Sequence, residues 1–487
     1  MTTVLIFNFT AFYSPHLEVM AAIALREKNN GANVLYYSCD GSLGACEADY
    51  SGAKIACSNC QKRTDWAAKV IQVKPVSFSV KKCKKINYTI NENSEIKSFV
   101  HRGINIGLGC ASTYISWTRD QELTLTKATK SMLSRQLSAA AMMLDELNEI
   151  LDAIKPDKVY LFNGRGFINR SIVNLCESRG VNYTALEVGA NDERIEEYHN
   201  SLPHSISTRT KMMYELWQSA DPVEKFNNSK LFFDRKRLGE VTNDKSYVSG
   251  HVRGLLPIFP KNKEIIAIFN SSDDEVKSIG DEWSFSAEIN QFDVVESLLE
   301  KTIDDDVFFI LRMHPNLASV KASWVKKWDR IKKFKNCFFV DSRSEISSYE
   351  ILEKSNKVLV FGSTIGVEAV AAGKPVILYG NSFYERLDIC YVAKSVEDIR
   401  VLSLSNLQPK EKEGALMYAY FLMNSGKVEA NYSGSKKNGI YFLLNLNAPV
   451  NRYNLLRSDS ILFWINGFYS RSKKWWINKS FLLRSPS

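Results

Sequence analysis

Three apolar runs in the second half of the sequence are each followed directly by polar residues that can bind an anionic group. The polar segments are Asn270-Ser271-Ser272, His314-Pro315-Asn316 and Gly362-Ser363-Thr364. If the apolar runs are parallel strands of one sheet, these segments meet at its carboxyl edge, where open α/β sheets bind their ligands. The sequence therefore predicts one binding site at this edge, and its candidate residues are Ser271, Ser272, His314, Ser363 and Thr364.

The third polar segment has the features of a phosphate-binding turn. Gly362 permits a tight turn, and the hydroxyls of Ser363 and Thr364 can donate hydrogen bonds. The helix expected behind them offers unpaired N–H groups and the positive end of its dipole. The alternative is that Ser363 only caps this helix, which would explain a serine at a helix start without any ligand.

Two further side chains can reach the same edge. An imidazole directly after a buried strand, such as that of His314, can donate to a phosphate oxygen and is readily charged beside one. Glu368 lies about one helical turn beyond Thr364, from where a carboxylate can bind ribose hydroxyls. The alternatives are a hydrogen-bonded structural histidine and a solvent-facing helix residue.

Strands and helices alternate along most of the chain. The first expected strand is Val4–Phe9, and a helix that begins near Pro15 follows it. Polar residues and prolines loosen the pattern between about 200 and 260, and a second regular alternation starts with Ile265–Phe269. Such spacing is typical of parallel sheets. We therefore predict an α/β protein with an N-terminal Rossmann-like domain over residues 1–250, a second one over 251–438, and a tail over 439–487.

The composition is that of a globular protein: the chain has 487 residues, of which 45% are hydrophobic. No apolar run approaches the ~20 residues of a membrane span. Met1–Phe9 shows no basic leader, so no signal peptide is predicted and a cytoplasmic location is expected. The net charge is +9, but the segment from Ile440 onwards has seven basic residues against one acidic residue. The nearly balanced remainder argues against binding of nucleic acid.

The segments Leu311–Asn316, Asp341–Tyr349 and Phe361–Ile377 occur together in an order and spacing that resemble a known family. They are similar to the bacterial capsule polysaccharide biosynthesis proteins. That group includes Kdo (3-deoxy-manno-octulosonic acid) transferases and is related in layout to bacterial sialyltransferases. The resemblance covers roughly residues 155 to 380, and it is more specific for the fold than for the sugar.

The resemblance implies the GT-B fold, in which two Rossmann-like domains face each other across a cleft, and a glycosyltransferase that requires no cofactor or metal for catalysis. In this family a His-Pro motif and a Ser/Thr pair at a helix start contact the nucleotide, often CMP. The implied nucleotide-sugar site of this chain consists of Ser271, Ser272, His314, Pro315, Ser348, Ser363, Thr364, Gly366 and Glu368.

The first domain should then supply the acceptor side and the catalytic carboxylate. Asn163-Gly164-Arg165 follows one expected strand, and Asn163 and Arg165 are the candidate acceptor-binding residues. Glu187 stands near the end of another and resembles the acidic-x-Gly motif whose carboxylate is the general base of bacterial sialyltransferases, although that motif often has two acids. Such a carboxylate takes the proton of the attacking sugar hydroxyl. The alternative is a structural carboxylate, with Asp192 and Glu193 as the next candidates.

Four cysteines fall within 22 residues: Cys39, Cys46, Cys57 and Cys60. Four thiolates are the right number for a tetrahedral structural zinc, and the Cys57-x2-Cys60 pair has the spacing of such sites. The gap of six residues after Cys39 is unusual for a zinc finger, and ordinary free thiols explain the pattern about as well.

The C-terminal tail, residues 439–487, combines its basic residues with aromatic ones such as Trp464, Trp475 and Trp476. Tryptophan prefers the membrane interface, and lysine and arginine are attracted to anionic lipid. We expect a peripheral segment on the inner face of the cytoplasmic membrane, where lipid-linked acceptors reside. The alternative is that the aromatic residues pack back onto the domains.

Taken together, the sequence predicts transfer of a sugar, an acidic one from a CMP-activated donor, to a lipid-linked or polysaccharide acceptor at the bacterial surface. Three alternatives are a teichoic-acid-type polyol-phosphate transferase, a nucleotide-sugar 2-epimerase and a non-catalytic glycan-binding or assembly subunit. The first usually has an Asp-Tyr-Ser-Ser stretch where this chain has Phe361-Gly362-Ser363-Thr364, and the epimerase has no use for a basic aromatic tail. The fold alone does not separate these functions.

Overall fold

A computed structural model describes residues 1–49, 55–238, 252–320, 323–435 and 440–447. The chain forms two compact units. The first unit is Met1–His204 together with the chain from Ser425 onwards, and the second is Ser205–Asn424. These bounds differ from the expected domains, since residues 205–238 belong to the second unit and the chain after Asn424 returns to the first.

The first unit is built on a sheet whose central strands are parallel. Its elements before residue 205 are β1 (Thr3–Phe7), α1 (His16–Asn29), β2 (Asn33–Cys39), α2 (Ile55–Ile71), β3 (Pro75–Phe78), β4 (Val100–His101), β5 (Ile104–Asn105), α3 (Gly107–Thr118), α4 (Lys127–Ile154), β6 (Lys158–Phe162), α5 (Phe167–Arg179), β7 (Tyr183–Val188) and β8 (Arg194–His199). Strands β3-β2-β1-β6-β7 run parallel in that spatial order, and β8 is antiparallel to β7.

The second unit has a fully parallel sheet. Its elements are α6 (Ile206–Ser219), α7 (Pro222–Arg237), β9 (Glu264–Phe269), α8 (Ser284–Glu288), α9 (Gln291–Lys301), β10 (Val307–Arg312), α10 (Ser323–Lys326), β11 (Cys337–Val340), α11 (Ser348–Lys354), β12 (Lys357–Val360), α12 (Ile365–Ala371), β13 (Val376–Tyr379), β14 (Tyr391–Ala393), α13 (Val396–Leu404) and α14 (Glu413–Asn424). The spatial order is β11-β10-β9-β12-β13-β14. In sequence terms this is the 3-2-1-4-5-6 order of a doubly wound Rossmann fold.

Strand β9 shows why helices cover both faces of the second sheet. Side chains of successive strand residues point to opposite faces. Ile265, Ala267 and Phe269 pack into one hydrophobic cluster, and Ile266 and Ile268 pack into the other. A strand buried on both faces reads as a continuous apolar run, which is the signal that marked these strands in the sequence.

Helices α6 and α7 belong to the second unit because their apolar faces pack there. Trp217 and Phe232 lie in the same buried cluster as Phe421 of α14, and the Trp217 indole donates to Glu413 Oε1 at 3.0 Å. The loosened sequence between 200 and 260 therefore contains two helices of the second unit.

The returning segment consists of β15 (Lys427–Val428), β16 (Tyr432–Ser435), β17 (Ile440–Leu443) and β18 (Leu446–Asn447). β15 pairs with β8, and Tyr432, Tyr441 and Leu443 complete the cluster around α1. Tyr441, counted as the start of a membrane-binding tail, is thus a core residue. Residues 448–487 of the tail lie outside the described residues. Within the described ranges, none of the helices combines the length and apolarity needed to cross a bilayer.

Candidate functional site

The doubly wound order predicts where a ligand of the second unit binds. The strand order reverses between the neighbours β9 and β12. A crevice forms at such a switch point, outside the carboxyl ends of the strands. Asn270–Ser272 follows β9, His314 follows the adjacent β10, and Gly362–Thr364 follows β12. The structure therefore brings the three polar segments to one sheet edge, as the sequence predicts.

Hydrogen bonds tie these three segments to one another. The His314 backbone N–H donates to Asn270 Oδ1 at 2.7 Å, which joins the loops after β9 and β10. The Ser271 hydroxyl donates to the Phe361 carbonyl at 2.8 Å, which joins the loops after β9 and β12. Gln291 Nε2 donates to the same hydroxyl at 2.9 Å. These hydrogen bonds fix the loops after β9, β10 and β12 relative to one another, so the positions of His314 and Ser363 are coupled. We call these three joined loops the braced edge.

Ser271 and Ser272, the two predicted serines after β9, both donate their hydroxyl hydrogen bonds to groups of the protein itself. Ser272 is 2% exposed, and its hydroxyl donates to Asp274 Oδ1 at 2.7 Å. Ser271 donates to Phe361 as described. Both hydroxyls stabilise the loop after β9. Their direct contact with a nucleotide stays a prediction.

His314 is half-buried and its ring is oriented by its own loop. Nδ1 accepts the Asn316 N–H at 3.2 Å. An imidazole nitrogen that accepts a hydrogen bond is unprotonated, so the neutral ring has its proton on Nε2. Pro315 is the first residue of the short 3-10 helix Pro315–Ser319, where its missing N–H costs nothing. Pro315 thus fixes the turn that aims His314, and the Nε2–H is a donor suited to an oxyanion.

Position alone does not make Ser363 or Thr364 a side-chain cap of helix α12. Helix α12 begins at Ile365, and Thr364, its exposed N-cap residue, makes no side-chain capping hydrogen bond to any described residue. The Ser363 carbonyl accepts from the Gly366 N–H at 3.0 Å and from the Tyr384 hydroxyl at 2.6 Å, which fixes the turn. The simple capping explanation therefore does not account for these two hydroxyls.

Two glycines make this turn possible. Gly362 has a φ of 89°, and a Cβ there would lie 2.7 Å from the Asn381 carbonyl oxygen. A Cβ on Gly366 would lie 2.8 Å from the Tyr384 hydroxyl that holds the Ser363 carbonyl. Gly366 thus supports the predicted site by allowing close approach of Tyr384 to the turn.

The last two residues predicted for the nucleotide-sugar site lie on helices: Glu368 on α12 and Ser348 on α11. Glu368 is 8% exposed. Its Oε1 lies 3.2 Å from Lys236 Nζ, and its Oε2 accepts from the Tyr349 hydroxyl. The carboxylate thus links α7, α11 and α12, and its contact with ribose stays a prediction. Ser348 is the half-buried first residue of α11, behind Ser347, which caps that helix.

A buried arginine, Arg312, was missed in the sequence. It is 2% exposed at the end of β10. Its guanidinium donates to the Asp341 carbonyl at 2.6 Å and to the Ser344 carbonyl at 3.0 Å. Burial lowers its pKa to about 10, partly offset by the Asp341 charge. Arg312 holds the loop after β11, from which Arg343 reaches the Ala318 carbonyl at 2.9 Å. A lone arginine in an apolar strand just before His314 was the available signal.

The first unit has a cavity of about 290 Å³ lined by both polar and apolar groups. It lies at the carboxyl ends of β1 and β6, where the parallel order of the first sheet reverses. Asn163, Arg165 and Glu187, the three residues predicted for the acceptor side and for catalysis, all line it. The remaining lining residues are Tyr13, His16, Glu47, Ser112, Thr113, Ser116, Trp117, Phe162, Gly166 and Asn169. The aromatic and hydroxyl groups provide both apolar faces and hydrogen-bonding partners for a sugar.

Asn163 organises the predicted residues of this cavity. It adopts a left-handed conformation with a φ of 62°. Its Nδ2 donates to Glu187 Oε2 at 2.5 Å, and its Oδ1 accepts the Arg165 N–H at 3.0 Å. The other Glu187 oxygen accepts the Val188 N–H at 3.0 Å, and Arg165 Nε donates to Ser112 Oγ at 2.9 Å. The carboxylate is therefore held in a fixed orientation at the wall of the cavity.

His16 is a cavity residue that the sequence did not single out. Its ring stacks on Phe162 with 3.8 Å between centroids, and its Nδ1 lies 2.9 Å from Thr10 Oγ1. Burial, reinforced by the Arg63 charge, lowers the pKa of His16 to about 3. The imidazole is therefore neutral at physiological pH. Its position after β1 was the signal that the sequence offered.

The four early cysteines line one small cavity of about 40 Å³. Backbone N–H groups point at two of the sulfurs, from Gly41 to Cys39 Sγ and from Asp49 to Cys46 Sγ, both at 3.2 Å. Burial raises the pKa of Cys39 to about 11 and that of Cys60 to about 12. Among the described residues, which include all nine cysteines, no disulfide forms and no group of three or more His, Cys, Asp or Glu is placed to hold a metal ion. The structural zinc stays a prediction.

Elemental analysis of protein purified without chelator tests that prediction. We expect about one zinc per chain, because four thiolates complete a tetrahedral site. Cys57→Ser should lower the zinc content and the thermal stability together. Cys83→Ser, a change at a half-buried cysteine outside the cluster, is the matched control and should keep the metal. A fully folded, metal-free wild type would mean that the cluster is made of ordinary thiols.

Residues 257–398 match the profile of a family described as capsule polysaccharide biosynthesis protein. The matched stretch lies within the second unit and contains His314, Ser363 and Thr364. The match confirms, over that stretch, the resemblance inferred from the sequence motifs. A search of curated protein sequences finds no match to this chain.

Solved structures that align with part of this chain include two transferases from Thermosulfurimonas dismutans. The KpsC beta Kdo 2,4 transferase is 16% identical, with a TM-score of 0.36, and the alignment covers 55% of this chain and 80% of that one. The KpsC beta Kdo 2,7 transferase is 14% identical, with a TM-score of 0.35 and coverages of 66% and 89%. The UDP-GlcNAc 2-epimerase of Neisseria meningitidis is 11% identical, with a TM-score of 0.25 and coverages of 87% and 100%. Likeness at this level supports no conclusion about activity.

Proposed function

We propose that this protein is a glycosyltransferase that moves an acidic sugar from a CMP-activated donor onto a surface polysaccharide or a lipid-linked acceptor. The main supporting observation is the braced edge of the second unit, where His314 and the Ser363-Thr364 turn are joined through Asn270 and Ser271. The capsule-biosynthesis profile matches this same stretch of the chain.

In this proposal the second unit binds the nucleotide part of the donor. The Nε2–H of His314 and the hydroxyls of Ser363 and Thr364 donate to the phosphate. The N-terminus of α12 adds a partial positive charge. These donors also stabilise the negative charge that develops on the phosphate as its bond to the sugar breaks. In other transferases a metal ion stabilises this negative charge. Here the hydrogen-bond donors of the chain would do so, and we propose that no metal ion is required.

The first unit supplies the acceptor side. The cavity around Arg165 holds the acceptor sugar, and Glu187 accepts the proton of its hydroxyl as that oxygen bonds to the anomeric carbon. The bond between the anomeric carbon and the nucleotide phosphate breaks, and CMP leaves with the electron pair. Asn163 keeps the carboxylate oriented toward this task.

A thermal-shift screen against CMP, UDP, GDP and CDP tests the donor half of the proposal. A ligand at 100 times its Kd stabilises the protein by about 2.7 kcal/mol, which for a domain of this size raises the melting temperature by about 5–10 °C. We expect the largest shift with CMP. Equal shifts with all four nucleotides would contradict the proposed preference for CMP. No shift with any of them would contradict the proposed nucleotide site.

We further propose that the protein is peripheral on the inner membrane surface, through the basic aromatic residues after Asn447. Each lysine or arginine near an anionic leaflet contributes about 1 kcal/mol of attraction. We expect the full-length protein to float with anionic liposomes and a chain ending at Asn447 to remain at the bottom of the gradient. This endpoint retains Tyr441 and Leu443, which belong to the core of the first unit. Equal flotation of the two proteins would rule out a tail-mediated contact.

A further inference from the structure

A second carboxyl group, Glu47, lines the same cavity of the first unit as Glu187. It comes from the loop between β2 and α2. Its Oε1 accepts the Ile168 N–H at 3.2 Å, at the start of α5. The Tyr13 hydroxyl donates to its backbone carbonyl at 2.8 Å, which fixes the loop. Glu47 is therefore held by two segments that are distant in sequence, the start of α5 and the loop before α1.

The approach of Glu47 to α5 depends on the absence of a side chain at Gly166. Gly166 is the N-cap residue of α5, and a Cβ there would lie 2.3 Å from Glu47 Cδ. The carboxyl group thus fills the place that a capping side chain would occupy. One oxygen faces the helix amides, and a carboxyl group has a second oxygen that can hold a proton.

The surroundings of Glu47 favour the protonated form of its carboxyl group. Burial raises its pKa to about 7, although the amides of Ile168 and Asn169 act in the opposite direction. The titratable groups that line the same cavity are Tyr13 and His16 from α1 and its approach, Arg165 from the turn after β6, and Glu187 from β7. Burial raises the pKa of the Cys110 thiol in α3, which also lies close enough for the Glu47 charge to raise it further. His16 is neutral at physiological pH. Two carboxyl groups in one cavity with different environments are suited to different protonation states.

We propose that Glu47 is a second proton-exchanging group of the cavity, in which one oxygen stays with the α5 amides and the other donates a hydrogen bond to an oxygen of the bound sugar. This inference rests on the proposed function for its ligand, an acceptor sugar. Glu187 remains the base that takes the proton of the attacking hydroxyl, and protonated Glu47 orients the same sugar. Binding of the sugar is then coupled to uptake of a proton, and it weakens as the pH rises through about 7.

Infrared spectroscopy of the full-length protein tests the protonation without any substrate. We expect the carbonyl band of a protonated carboxylic acid at pH 6, and we expect it to lose half its intensity near pH 7. Glu47→Gln should lose the Glu47 contribution to this band, and Glu187→Gln, the matched control, should keep it. Burial also raises the pKa of Glu18, which pairs with Arg63 and does not line the cavity, so the Glu47 signal is read from the difference between the wild-type and Glu47→Gln spectra. Identical spectra of these two proteins between pH 6 and pH 8 would overturn the proposal.

Glutamine keeps an acceptor for the Ile168 amide, so Glu47→Gln should fold, and its stability provides a second readout. The carboxyl group binds its proton more tightly in the folded state, from a usual pKa of 4.5. Folding therefore takes up a proton between about pH 4.5 and pH 7, and this contribution to stability is lost as the pH rises through that window. The wild type should lose melting temperature relative to Glu47→Gln over this range. Parallel curves would contradict the raised affinity for the proton.

Transfer kinetics test the hydrogen bond to the sugar. Above about pH 7 the KM for the acceptor should rise about tenfold per pH unit in the wild type, since one proton is required, and it should stay flat in Glu47→Gln. A flat KM in the wild type would show that the proton does not reach the sugar. If the protein transfers no sugar at all, the proposed function fails and this sugar-binding role fails with it, while the infrared titration still decides whether Glu47 holds a proton.

Discussion

His314→Ala should abolish most sugar transfer and weaken nucleotide binding by about tenfold to a hundredfold. The reason is the loss of the Nε2–H donor, since a hydrogen bond to a charged group contributes about 1.5–3 kcal/mol. The loss should be larger for turnover than for binding, because the charge on the phosphate increases as its bond to the sugar breaks. Calorimetry with CMP and initial rates of transfer measure the two effects separately.

The fold should survive this substitution. One bond that is lost runs from the Asn316 N–H to His314 Nδ1, and loss of such a capping contact costs about 1 kcal/mol. That corresponds to a fall in melting temperature of about 2–4 °C for a domain of this size. His199→Ala is the matched control, since His199 is a mostly exposed histidine of β8 in the first unit. Wild-type nucleotide affinity in His314→Ala would show that His314 does not contact the nucleotide.

Much of the candidate sites in the two units could be predicted because buried parallel strands, and therefore their carboxyl ends, can be recognised in the sequence. Runs such as Val358–Val360 are buried on both faces and are therefore continuous and apolar, so the residues directly after them lie at the sheet edge. That reasoning brought His314 and Ser363 to one edge in the second unit. It also placed Asn163 and Glu187 at the ends of two strands of the first unit, and the structure brings these two residues into one cavity.

The roles of individual hydroxyls could not be predicted in the same way. A serine after a strand can donate to a ligand or to its own protein, and the sequence is identical in both cases. Ser271 and Ser272 donate to Phe361 and Asp274. Ser363 and Thr364 had the simpler explanation of a helix cap, and Thr364, the N-cap residue, makes no side-chain capping hydrogen bond to any described residue. Which case applies depends on loop geometry that residue types alone do not determine.

Long-range pairing was also beyond the sequence. β15 pairs with β8, more than 200 residues away, and Tyr441 joins the cluster around α1. The sequence of residues 425–447 gives no information about which strands or helices these residues pack against. The expected boundaries at 250 and 438 therefore differ from the units of the structure. Glu47 was missed for the same reason, since only the fold brings its loop to the start of α5.

Glu187→Gln should leave nucleotide binding nearly unchanged and reduce turnover about a hundredfold or more, the range typical of losing a general base. Glutamine has nearly the same shape and still accepts a hydrogen bond, so the contacts with Asn163 and Val188 should change little. What it lacks is the capacity to take a proton. Turnover at saturating donor and acceptor, with CMP affinity measured alongside, separates the loss of the base from a loss of binding.

Glu149→Gln is the matched control, because Glu149 is an exposed carboxylate of α4 in the same unit and is not a candidate for the base. It should keep wild-type turnover. Near-normal turnover in Glu187→Gln would instead transfer the role to Asp192, to Glu193 or to Glu47, and the same substitution at each would identify the base. The pH profile adds a further distinction. If Glu187 is the base, Glu47→Gln keeps a substantial kcat and alters mainly the KM for the acceptor, whereas Glu187→Gln lowers kcat at every pH.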